Sequence, residues 1–347
     1  MRNTLRLTIA AAMVLIVASP ATPAAQPAAA TRSLDIVKGT KLFEGYGAAT
    51  HIGPRRLFAW SNEVGNTHTD LGAFVETGGG SVARINARHT SAYVGGFDPG
   101  TDRVVYQQVR GDESNLFLYD LGEGRRTPLR ALNDGHWQWN PSIDTHQGTP
   151  WIVYGVNRFG GPAASWRLYL ANGRTGERTL LDATTNRCGC LFPGTVAYPW
   201  VTWAVGDDAT AWRYDIRTGE RTPLLPTDRD EYGVTVTPDG TAYVAQGGDR
   251  CGVDAALYRV DLDGTPFLIH EFRDRREGAN LSLDFTGPHD RLYVDRRNCR
   301  TASSDVLRIR RAEEIGDPAG PAARPHGPDG AGAMRSEASS GASPRTR

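Results

Sequence analysis

Trp137 and Trp139 stand two residues apart in the segment NDGHWQWN, alternating with His136 and Gln138 and followed by Asn140. In extended backbone, residues two apart face the same way. The two indoles therefore offer either a stacking platform for a sugar or peptide, or a pair of plugs filling the gap between packed sheets. Acidic and polar groups form a second set. Asp207 and Asp208 sit in VGDDAT, Asp249 and Arg250 in GGDRCG, Glu231 and Tyr232 in DRDEYG, and Asn280 in REGAN. Carboxylates placed in this way could hydrogen-bond a ligand or bind calcium. Calcium takes six to eight oxygens, and no single one of these stretches supplies them. No cofactor is expected, with calcium as the one cation that these acidic turns would suit.

The four cysteines are a third set. Cys188 and Cys190 form a C-x-C pair, whereas Cys251 and Cys299 each follow an apolar strand at nearly the same offset, which puts them in neighbouring loops. A Cys251–Cys299 bridge would contribute on the order of 4 kcal/mol on a chain-entropy estimate. Cys188 and Cys190 would then be left as a cramped, easily reduced pair. Three connectivities remain open. A four-cysteine zinc site is the alternative, although the usual C-x₂-C spacing is missing. Catalytic signatures are absent: there is no G-x-S-x-G elbow and no H-E-x-x-H, and the eight histidines do not cluster. SIDTHQGTPW from Ser142 resembles a sialidase Asp-box, but it has too many residues between Asp144 and Gly148 and reads as a structural turn.

The elements that must position these groups repeat. WRYDIRTGERTPLL from Trp212 reads as strand, tight turn and strand, with Gly219 supplying the positive φ of the turn. Copies begin at Leu118, Leu168 and Leu257. Six apolar strands recur at intervals of roughly 41 to 50 residues: RLFAW from Arg56, RVVYQ from Arg103, WIVYG from Trp151, WVTWA from Trp200, TAYVA from Thr241 and RLYVD from Arg291. A shorter strand and a turn such as FDPGTD, IDTHQG, TPDG or FTGPHD precedes several of them. No helical period appears after the N-terminal segment. The pattern predicts an all-β chain, a six-bladed β-propeller of four-stranded antiparallel blades. After DVLRIRR from Asp305 the sixth blade lacks an outer strand, and SLDIVKG from Ser33 is the natural N-terminal strand to complete this last blade and close the ring.

The ends differ in composition. Arg2 and Arg6, an apolar run and small residues up to Ala30 read as a signal peptide over residues 1–30. The propeller is expected over 33–314, and a disordered Pro/Gly/Ala/Ser-rich tail over 315–347. Export to the cell envelope or medium would favour oxidised cysteines. Lys+Arg and Asp+Glu are equal at 39 each, and with no basic stripe this argues against nucleic acid as partner. The N-terminal apolar run is too short to span a membrane, and no other run is long enough to do so. A monomer is expected.

VTPDGTAYVA at Val236 with LYRVDLDG at Leu257, and FDPGTDRVVY with LFLYDLGEG, resemble the TolB-type, WD40-like propeller repeat. IDTHQGTPWIVY and the Tyr198-Pro199 stretch depart from it at the turn. The resemblance covers roughly Ser33 to Glu314 and implies the fold, since such propellers serve as binding scaffolds, peptidase gates and enzyme cores alike. In blades of this kind the A-to-B and C-to-D turns share one face and the longer loops the other. Loops on a rigid scaffold are where binding is usually placed. The sequence therefore points to an exported, non-catalytic propeller that binds a protein, peptide or glycan on its long-loop face. The alternative is a propeller enzyme, a lactonase, glycan lyase or hydrolase, whose site at the channel mouth is drawn from Asp207, Asp208, Glu231, Asp249, Arg250 and Asn280.

Overall fold

The second strand of each repeat is apolar without alternation, which suits a strand covered on both faces. Val104, Val105 and Tyr106 are fully buried, as are Ile152, Val153 and Tyr154, and Ala242 through Ala245. In the computed structural model these strands lie second in a series of antiparallel sheets stacked face on face. The structure describes residues 35–39, 44–52, 55–63, 71–76, 82–98, 101–158, 165–184, 191–205, 210–225, 231–246, 255–272, 277–278, 283–285, 291–298 and 303–310. All lie in the unit Ser33–Arg347. The signal peptide and tail read from the sequence lie outside the described residues.

Five sheets have four strands in chain order. Blade 1 comprises Glu44–Ile52, Arg55–Glu63, Leu71–Glu76 and Val82–Arg84. Blade 2 comprises Ser91–Asp98, Arg103–Arg110, Glu113–Asp120 and Arg125–Pro128. Blade 3 comprises Trp137–His146, Thr149–Arg158, Ser165–Asn172 and Arg178–Thr184. Blade 4 comprises Leu191–Ala197, Trp200–Val205, Thr210–Asp215 and Arg221–Leu224. Blade 5 comprises Glu231–Val236, Ala242–Gln246, Ala255–Val260 and Pro266–Phe272. In the sixth sheet, Glu277–Gly278 and Leu283–Phe285 both pair with Arg291–Asn298, which pairs with Ser303–Arg310. The N-terminal strand Asp35–Gly39 then pairs with Ser303–Arg310 from the outside. The first strands of the sheets touch in sequence, and that of blade 1 also meets the Leu283–Phe285 strand of the sixth sheet. Among the described residues there is no helix, and none long and apolar enough to cross a membrane. The class is the expected all-β propeller of four-stranded antiparallel blades.

Separate apolar clusters cement successive blades. Ala59 and Ala73 meet Val94, Phe97 and Tyr106 between blades 1 and 2. Leu116, Leu129 and Leu132 meet Ile143, Ile152 and Tyr154 between blades 2 and 3. Between blades 3 and 4, Val153, Leu168 and Leu181 meet Val201 and Trp203. Between blades 4 and 5, Ala204, Leu224 and Leu225 meet Val234, Val244 and Tyr258.

Polar bonds fix how the first strands meet. Asp98 of blade 2 accepts from the Thr145 backbone N–H at 3.0 Å and from its hydroxyl at 2.5 Å. Asp144, one repeat later, accepts from the Tyr198 N–H at 2.6 Å. Blade 4 has Ala197 at the matching position, so the bond moves two residues back. There Ser142 accepts from the Val196 N–H at 3.2 Å, and Thr195 from the Val236 N–H at 3.0 Å. The first strands also approach closely. A Cβ on Gly95 would lie 1.8 Å from the Pro141 carbonyl oxygen, and one on Gly194 would lie 2.7 Å from that of Val234. Both glycines occupy β-bulges.

Arginines bind the blades farther out. Arg213 of blade 4, only 3% exposed, donates to the carbonyls of Gly240, Asp261 and Leu262 of blade 5 while lying 5.4 Å over the Trp200 ring. The Gln147-Gly148 connection, read as a structural turn, has φ of 49° and 74°. Two consecutive positive values suit a tight hairpin.

Two outcomes follow for the lashed strands. Gly95→Ala drives a Cβ into backbone and should cost about 3 kcal/mol, seen as a lower denaturant midpoint at unchanged slope; an unaltered midpoint would show that these strands are not in contact in solution. Burial raises the pKa of Asp144; the Tyr198 N–H opposes the shift and the charge of Asp98 adds to it. A raised folded pKa gives stability that is present below the unfolded value and is lost as pH rises through the folded one. Asp144→Asn keeps an acceptor for Tyr198 but does not titrate. Its stability relative to wild type should rise as the pH climbs above about 4, the ordinary carboxylate value, and parallel curves for the two proteins would refute this.

Candidate functional site

The loop leading into blade 3 is held by side chains that imitate strand partners. The Asn133 amide accepts from the Leu116 N–H at 2.8 Å and donates to the Leu116 carbonyl at 3.0 Å. Asp134 accepts from Gln138 Nε2 at 2.6 Å and from Arg178 at 2.6 Å. Burial pushes the Asp134 carboxyl up, but the bond to Arg178 and its charge prevail and hold it below the usual range. The anchored loop delivers the chain into Trp137–His146. From blade 2, Gln107 donates to Ser114 at 2.9 Å and accepts from the Asn140 N–H at 3.3 Å, and Ser114 in turn donates to the Gln138 carbonyl. Asn140, with φ of 43°, lies in the bulge between Trp139 and Ser142, a conformation that asparagine tolerates well.

Register then gathers three indoles on one face of blade 3. Trp137 pairs with Asn157, and Trp139 with Gly155. On the other side of the second strand, Asn157 pairs with Trp166. Paired residues share a face with Cβ atoms about 5 Å apart. Asn157 is thus flanked by Trp137 and Trp166, with Trp139 one rung along. Trp139 and Trp166 meet edge to face at 5.4 Å. The face looks toward blade 4, since Val153 and Leu168 on the same side belong to the cluster shared with that blade. The three indoles are partly exposed, whereas Asn157 is 1% exposed. Both polar atoms of the Asn157 amide are without a hydrogen-bond partner, as is Nε1 of Trp139. Gln138 points to the other face, where its Oε1 is likewise unpartnered.

Gly155 makes room for Trp139. A Cβ there would lie 2.1 Å from Trp139 Nε1 and 2.4 Å from Cε2. The aromatic rung itself recurs: Tyr93 stands opposite Gln107 in blade 2 and Phe192 opposite Ala204 in blade 4, both partly buried. Trp139 therefore occupies a scaffold position of the repeat. The next rung outward differs between blades 2 and 3. Blade 2 has Ser91, Val109 and Ser114 where blade 3 has Trp137, Asn157 and Trp166.

Of the groups singled out in the sequence, Trp137, Trp139 and Asn140 come together here. Glu231 and Tyr232 begin the first strand of blade 5. Asp207, Asp208, Asp249, Arg250 and Asn280 lie outside the described residues, and so do Cys188, Cys190, Cys251 and Cys299. Among the described residues no three His, Cys, Asp or Glu side chains converge as a metal would need. Sequence reasoning missed Gly155, Asn157 and Trp166. The signal was the small and polar pair at alternate positions closing a strand otherwise built from apolar residues.

No protein-family model matches the sequence, and comparison with curated proteins gives no match. By structure the chain is similar to a luciferin-regenerating enzyme, with TM-score 0.52, 14% identity, and coverage of 80% of this chain and 95% of that one. It is also similar to TolB from Acinetobacter baumannii, with TM-score 0.49, 12% identity, and coverage of 74% of this chain and 63% of that one. This chain thus spans less than two thirds of that TolB. A third is regucalcin, a calcium-binding protein from Agrobacterium tumefaciens, with TM-score 0.49, 17% identity, and coverage of 78% and 91%. At these identities the likeness concerns the fold alone. The architecture is a β-propeller.

Gly155→Ala tests the indole seat. It should displace Trp139, shift the tryptophan emission and cost about 1–3 kcal/mol; an emission spectrum identical to wild type would show that the ring does not rest on Gly155.

Proposed function

We propose that this chain is an exported, non-catalytic propeller that binds a protein, peptide or glycan on its long-loop face. The observation that carries the reading is the row Trp137, Asn157 and Trp166 at the long-loop end of blade 3. It departs from the repeat, it combines exposed aromatic surface with unpaired polar groups, and it lies where strands open into the longer loops. Export is supported by the N-terminal sequence, with its basic start, apolar run and small-residue segment. Partly exposed tryptophans contribute large contact area at small entropic cost, and residues of this type dominate binding energy where they are found at interfaces.

The purified chain, screened against immobilised peptides, envelope proteins and glycans, should retain members of one class. Trp137→Ala should weaken that retention at least tenfold, an effect of about 1.4 kcal/mol, whereas Arg217→Ala at the opposite, short-turn face should leave it unchanged. Equal loss in both variants, or turnover of the retained molecule, would defeat the proposal.

A further inference from the structure

Asn157 is the least expected residue in the described structure. A buried side-chain amide almost always has partners, and an unmet donor or acceptor carries a desolvation penalty. Here the donor and the acceptor of one amide are both unmet, under three indoles, with a further unmet donor on Trp139. The apolar neighbours on that face, Val153 and Leu168, supply no polar atom from their side chains. Asp182, which pairs with Leu168 on the same face, is already engaged by Trp203 Nε1 and Arg221, each at 2.8 Å. Among the described residues, the unmet groups are therefore left without a partner on this face.

We propose that the Trp137, Trp139 and Trp166 cage with Asn157 at its floor is a binding subsite for a neutral saccharide ring bearing adjacent hydroxyls. This deepens the reading of the long-loop face and rests on it. The chemistry matches group by group. Neighbouring hydroxyls can each donate and accept, so one donates to Asn157 Oδ1 while the next accepts from Nδ2. A pyranose presents C–H groups on its faces, which suit the indole surfaces. An anionic ligand would need a cation to offset its desolvation, and the unmet groups on this face are neutral. Because Asn157 is 1% exposed, the ring gains access when one of the partly exposed indoles turns aside, and the tryptophan emission reports that movement.

Asn157→Leu separates binding from structure, because leucine has similar volume and removes the unmet amide. With a panel of neutral gluco-, manno- and chito-oligosaccharides as probes, the wild-type chain should bind at least one, with a change in tryptophan emission. Asn157→Leu should lose at least tenfold in affinity for it while its melting temperature stays equal or rises. A lowered melting temperature would show that the amide holds only a structural water and would overturn the subsite, as would undiminished binding. Retention of peptides or proteins without saccharides, abolished by Trp137→Ala, would overturn the sugar assignment and keep the face reading. Retention of nothing on that face would overturn both.

Discussion

The bond from a side chain on one first strand to the backbone N–H of the next is the constraint on which the rest of this structure depends. Apolar packing between stacked sheets is non-directional and tolerates sliding. A carboxylate or hydroxyl that must reach one particular N–H does not. Asp98 to Thr145, Asp144 to Tyr198, Ser142 to Val196 and Thr195 to Val236 set the stagger of each sheet against its neighbour across three successive interfaces. These acceptors are each at most 9% exposed, so an unmade bond would leave a buried group unsatisfied. Close approach is the corollary. Gly95 and Gly194 are small because Pro141, Thr202 and Val234 come to within 3 Å of where a Cβ would be.

The arginines act on the same interfaces at larger radius, and geometry decides their worth. Among the described residues no carboxylate is ion-paired with Arg213; three carbonyls at the turn end of blade 5 and the Trp200 face stand in for one. Burial of that guanidinium pulls its pKa down, partly offset by Asp263, and so it is held by hydrogen bonds more than by ion pairing. Arg221 lies 3.7 Å over Trp212 and 4.8 Å over Trp203 while bonding Asp182 across the interface. Its stem and planar head fill space between indoles, which a lysine could not reproduce. Arg178 makes the corresponding link from blade 3 to Asp134, and that link also orients Gln138 and the loop before Trp137. The site is thus anchored by the scaffold's own fastening.

The architecture was legible because it is repeated. A period shared by RVVYQ, WIVYG and WVTWA survives any single irregular residue, and the composition break after Ile315 together with SLDIVKG led to the strand that pairs outside Ser303–Arg310. The candidate site was half legible. Trp137 and Trp139 announce themselves by type and alternation. Asn157 and Trp166 do not, because they lie on separate strands and their meaning comes from register: a shift of one residue would have turned Asn157 toward Tyr154 and the blade 2 interface. Nothing local in WIVYGVNR tells which face is which.

Repetition also sorts scaffold from site within the cage itself. Trp139 shares its rung with Tyr93 and Phe192, so an aromatic there is what the repeat uses to fill the wedge between blades. Single unmet atoms such as Gln138 Oε1 and Tyr154 Oη occur elsewhere in the scaffold, but Asn157 leaves both ends of one amide unmet; the blade 2 counterpart of its rung, Ser91, Val109 and Ser114, has small groups, with Ser114 hydrogen-bonded to Gln107 and Gln138. Blade 3 replaces that economical row with two indoles and an amide whose bonds are unmet. Substituting an apolar residue of equal size would relieve the desolvation cost without disturbing the fold. On the proposed reading, that cost is offset by interactions made only when a ligand is present.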